Sequence, residues 1–116
     1  MDFFARARLY GQAVGLIDEF LGETTRIQVR EQFAKIAGPA QRRGRKDPWD
    51  IIAHAAAAAG VPPSVIQALE LVYLMRTGRW EQFPTWAAKP DEAVVEHLRE
   101  WGVLGKFQAY LQQHNP

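Results

Sequence analysis

The sequence predicts an all-α fold, a single-domain bundle of about six helices arranged around a core helix from Pro63 to Thr77. Three observations predict it. Apolar residues recur at three- and four-residue steps in successive segments, no segment shows the period-two alternation of a strand, and glycine or proline stands where each segment ends. With 116 residues there is one domain's worth of chain, so residues 1–116 are expected to form a single domain.

The first helix is expected from about Phe3 to Leu21. Its stripe is Phe3, Tyr10, Val14, Ile17 and Leu21, widened by Leu9, Ala13, Leu16 and Phe20; Asp2 is the expected N-cap and Gly22 the C′ residue. Gly11 and Gly15, four apart, suggest the close approach of another helix. A second helix is expected to open at Thr25 with a Thr-x-x-Gln capping box to Gln28, to bury Val29, Phe33 and Ile36, and to end at Gly38 and Pro39. The stretch from Gly38 to Asp47 then reads as an exposed basic loop.

Asp47 should cap the next helix with Pro48 at its first position. Trp49, Ile51 and Ile52 lead into an alanine run that keeps this helix thin, so that neighbours can pack close, and Gly60 ends it. Pro62, Pro63 and Ser64 start the core helix. Val65, Ile66, Ala68, Leu69, Val72, Tyr73 and Met75 share about half its circumference, while Leu71 and Leu74 intrude on the other side; such a helix is buried on more than one side, and Gly78 stops it. Trp80, Phe83 and Trp86 lie in an aromatic connector around Pro84, with a helical turn before the proline. Pro90, Asp91 and Glu92 open a helix that buries Val94, Leu98 and Trp101 before Gly102. Phe107, Tyr110 and Leu111 mark the last helix, Leu104 to Gln113.

Charge is distributed unevenly. The net charge is +1, yet seven of the fourteen Lys and Arg residues (Arg26, Arg30, Lys35, Arg42, Arg43, Arg45 and Lys46) fall in one stretch opposed only by Glu31. Such a belt can follow a phosphate backbone through contacts that ignore sequence and weaken with salt. The bland counterpart is a solvated face and a loop that keeps the protein soluble. The absence of cysteine excludes disulfides and points to a reducing cytoplasm; no secretion signal is expected at the N-terminus, and no apolar run has the length of a membrane span.

Chemistry-bearing constellations are sparse. Ala56, Gly60, Val61, Ile66 and Leu69 have helix-turn-helix spacing, but the face that would enter a major groove (Pro63, Ser64, Gln67, Ala68 and Leu71) lacks Arg, Lys or Asn, which favours an ordinary corner between helices. His54, His97 and His114 are scattered, and Ala93 stands where a di-iron bundle would need a glutamate. His97 is expected to be exposed and His54 to lie within reach of Asp50, and no metal or cofactor is expected. Ser64, the single serine, reads as a helix-start residue, and no spacing supports a Ser/His/Asp arrangement or a phosphate loop. Trp80, Phe83, Trp86 and Trp101 could stack on bases, but their helical spacing favours the core.

Thr25, Gln28, Val29 and Arg30 at the start of a basic helix, together with Phe107, Tyr110 and Leu111 in the closing helix, give the chain a resemblance to the small helical subunit of type III CRISPR effector complexes. The resemblance covers those two segments. It implies a subunit that stacks along a ribonucleoprotein and holds guide and target strands through basic, sequence-blind contacts, with Arg26 and Arg30 among them.

The expectation from the sequence is therefore a non-enzymatic, cytoplasmic accessory protein or subunit of a larger assembly. Its partners would be the backbone of RNA or DNA and other protein subunits, with no membrane and no small-molecule substrate. The alternatives are a protein-interaction module, acting as assembly chaperone or inhibitor, and a helix-turn-helix DNA-binding regulator.

Overall fold

The computed structural model describes the backbone of residues 3–43 and 47–114, and their side chains except those of residues 37–43 and 80. Among the described residues the fold is all-α. Six helices run in the order α1 (Phe3–Phe20), α2 (Glu23–Arg43), α3 (Pro48–Ala58), α4 (Pro63–Arg76), α5 (Glu92–Glu100) and α6 (Leu104–His114), with 3₁₀ turns at Trp80–Gln82 and Thr85–Ala88. By its contacts the chain divides into two compact units, Met1–Pro62 and Pro63–Pro116.

In the first unit α3 is the element on which both α1 and α2 pack. Its thin alanine surface makes that possible: Ala55 and Ala56 are fully buried, with Trp49, Ile51 and Ile52 beside them. From α1 come Ala13, Leu16 and Ile17, and from α2 comes Val29. Tyr10 meets Phe33 edge to face, ring centroids 6.0 Å apart. The stripe expected of the first helix is buried only in its second half, because Phe3 and Phe4 at its start are 78% and 82% exposed.

Both ends of α3 are built as the sequence indicates. The Asp47 carboxylate accepts a hydrogen bond from the Trp49 N–H at 2.9 Å, and Pro48 takes the first helical position, where a missing N–H costs nothing. At the other end Gly60 has φ +87°, the left-handed conformation that L side chains resist. That turn lets the Gly60 N–H donate to the Ala57 carbonyl and the Val61 N–H donate to the Ala56 carbonyl, both at 3.0 Å. The two bonds form a Schellman motif and satisfy carbonyls that would otherwise be orphaned, while the Val61 side chain is buried beside them. The same pair of bonds closes α4 at Gly78 and Arg79, and α5 at Gly102 and Val103.

In the second unit α4 packs against α5, α6 and the turn at Trp80–Gln82. Leu69, Leu71 and Val72 are fully buried and Leu74 nearly so, which places α4 inside apolar surroundings on opposite sides, as its sequence requires. Phe107 of α6 joins Val94 and Leu98 of α5 in this core, and Phe83 stacks on Phe107 at 6.5 Å and lies tilted against Tyr110 at 5.5 Å.

Four expectations at the N-terminal end are corrected. Gly11 and Gly15 are exposed, and no atom of another element approaches the position of a Cβ at either, so they mark no close helix contact. Gly22 is not a left-handed C′ residue; its carbonyl accepts the Arg26 N–H at 2.9 Å and so begins α2. Thr25 is consequently the third residue of α2 rather than its cap. The third correction follows from the second, because only Leu21 and Gly22 separate α1 from α2 and there is no room for both a left-handed turn and a capping box.

The fourth correction is the largest. The second helix does not stop at Gly38 and Pro39, and residues 38–43 are helix rather than exposed loop. Proline removes one N–H from the ladder, whereas Ala37, Ala40, Gln41, Arg42 and Arg43 are all good helix formers that extend it on either side.

Candidate functional site

The extension of α2 changes the geometry of the basic belt. A helix of 21 residues is a rod about 31 Å long at 1.5 Å per residue, and it carries Arg26, Arg30, Lys35, Arg42 and Arg43. Arg42 and Arg43 occupy its last turn, with side chains outside those described; Arg45 and Lys46 lie outside the described residues altogether. Lys35 is exposed.

Arg26 and Arg30 are brought together one turn apart, but around an acid the sequence did not count against them. One Nη of Arg30 donates to both carboxylate oxygens of Asp18 at 2.6 Å, and Arg26 donates to the Asp18 backbone carbonyl at 3.3 Å. Asp18 comes from the last turn of α1, twelve residues from Arg30 in the chain, and Glu23 lines the same shallow depression of about 310 Å³. The local charge is thus nearly balanced. An ion pair whose side chains are 61% and 38% exposed is worth only about 0–1 kcal/mol, so a phosphate can compete with Asp18 for Arg30 at small cost.

Among the described side chains, the candidate stacking aromatics lie against other parts of the fold. Phe83 lies against α6, and Trp86 is half-buried. Of the face that helix-turn-helix spacing would aim at a major groove, Ala68 and Leu71 are fully buried, so those two positions are closed to a base edge.

One cluster was missed by the sequence reading. Ser64, the second residue of α4, places its Oγ 3.1 Å from Nε2 of His97 on α5. The other ring nitrogen, Nδ1, lies 4.0 Å from a Glu100 carboxylate oxygen, and the imidazole stacks on Trp101 at 5.9 Å with an interplanar angle of 23°. His97 is therefore half-buried and partnered rather than exposed. The two local signals were visible, a serine behind two prolines and a His-x-x-Glu pair on one helix face, but their meeting joins residues 33 apart. His54 is exposed, and among the described residues no group of three or more His, Asp or Glu is placed to hold a metal ion. No helix of the described residues is long and apolar enough to cross a membrane. No protein-family model, curated protein or solved structure matches the chain.

Proposed function

We propose that the chain binds the sugar-phosphate backbone of RNA or DNA without reading sequence, as an accessory protein or subunit of a larger assembly, through the cations of α2 and the residues that follow it. The observation that carries this reading is the continuity of α2. A single helix holds five of the seven clustered cations, Arg26, Arg30, Lys35, Arg42 and Arg43, on one rod whose length of about 31 Å is comparable to a helical turn of duplex. A segment already helical before binding loses less backbone conformational entropy than the exposed loop expected from the sequence, so each phosphate contact contributes more to net affinity.

The test is a binding titration with single-stranded RNA, single-stranded DNA and duplex at several salt concentrations. Replacing Lys35, Arg42, Arg43, Arg45 and Lys46 by alanine is expected to weaken binding. It should also flatten the dependence of log affinity on log salt by about 0.7 per lost contact for single strands and 0.9 for duplex. Binding that survives these substitutions unchanged, or no binding by the wild type at low salt, sinks the proposal.

A further inference from the structure

We infer that Ser64 and His97 form a nucleophile and general-base pair able to accept an acyl group from an activated ester. The pair shares no residue with the basic rod and belongs to the second unit, so it stands apart from nucleic-acid binding.

The geometry supplies each part of the chemistry. Serine oxygen is a weak nucleophile until a base takes its proton, and the base must sit within hydrogen-bond reach; Ser64 Oγ and His97 Nε2 are 3.1 Å apart. With Nδ1 carrying the ring proton on the side of Glu100, whose carboxylate oxygen lies 4.0 Å away, Nε2 presents its lone pair to the hydroxyl. Trp101 stacked on the ring limits its rotation. A serine in the first turn of a helix ordinarily turns its hydroxyl to nearby backbone; here it goes to an imidazole instead. The His97 side chain keeps 27% of its exposure and Ser64 is only half-buried, so both can be reached from solvent.

The position of Ser64 adds a place for negative charge. Pro62 and Pro63 have no N–H, so Ser64 is the first residue of α4 with a donor, and first-turn donors have no acceptor within the helix. In the proposed step Ser64 Oγ attacks the ester carbonyl carbon while its proton passes to His97 Nε2. The tetrahedral oxyanion collapses, the carbon–oxygen bond to the leaving group breaks, and the departing alcohol or phenolate takes the proton from His97. Water then attacks the acyl-serine with His97 again as base, releasing the carboxylic acid and restoring the hydroxyl. No oxidant, reductant or metal is consumed.

The test uses the full chain with p-nitrophenyl acetate, following p-nitrophenolate release and locating any acetyl group by peptide mass spectrometry. The expected result is one acetyl group on Ser64 in the wild type, none in Ser64→Ala, and acylation slowed on the order of 100-fold in His97→Gln. Helix content by circular dichroism accompanies both variants, and the mapping of the wild type stands without either. Acetylation confined to lysines, the N-terminus or His97 itself, p-nitrophenolate release that is the same in wild type and Ser64→Ala, or an unchanged rate in folded His97→Gln overturns the proposal and leaves the pair as a tie between α4 and α5.

Discussion

Residues 3–43 and residues 47–114 respond to the same local signals in opposite ways. In the second region the signals hold: Asp47 caps α3, and Gly60, Gly78 and Gly102 each follow a helix end in the left-handed conformation. In the first they do not, since Gly22 starts a helix instead of ending one, Thr25 lies inside the helix it was expected to cap, and α2 passes through Gly38 and Pro39. The difference lies in what each signal commits. A left-handed glycine followed by a buried valine, as at Gly60 and Val61 or Gly102 and Val103, couples a backbone conformation to an apolar contact, and both must be lost to move the helix end. A glycine or proline with no such contact imposes only its intrinsic penalty, which the flanking helix formers and the packing of α2 on α3 can outweigh.

Four substitutions sharpen that contrast. The largest effect is expected at Pro39. If α2 is one helix, Pro39→Ala removes an interior penalty of up to about 3 kcal/mol and should raise the denaturation midpoint and the helical circular dichroism signal together. No change in either would place the end of the helix back at Gly38.

Gly102→Ala should act in the opposite direction. Gly102 has φ +72° and no atom within 4 Å of a Cβ built on it, so the cost is that of the backbone alone, about 1–2 kcal/mol by urea denaturation. A neutral result would mean that the Schellman turn at Val103 tolerates another geometry.

The smallest effect compares two caps. Asp47→Ala is expected to cost about 1 kcal/mol, because the Trp49 N–H loses its acceptor, whereas Thr25→Ala should lie within about 0.5 kcal/mol of wild type. Comparable losses at the two sites would restore the capping box and erase the distinction between the regions.

The basic belt shows the same division at the level of function. Its residues are evident in the sequence as a cluster, but the sequence places four of the seven in a loop and sets only Glu31 against them. The fold extends the helix under Arg42 and Arg43 and brings Asp18 to Arg30 and Arg26. Ser64 and His97 stand isolated in the sequence, since nothing in local spacing links residues 33 apart.

The sequence by itself determined the helical class, the nearly all-round apolar character of α4, the thinness of α3, and every helix end at which a residue satisfies backbone groups through its own chemistry. These are properties of a few consecutive residues, set by periodicity, propensity and permitted φ. Only the tertiary structure decided which acid faces which arginine, and that the one serine meets a histidine. Each of those outcomes depends on helix packing that brings together groups distant along the chain, and a local pattern carries no information about such an encounter.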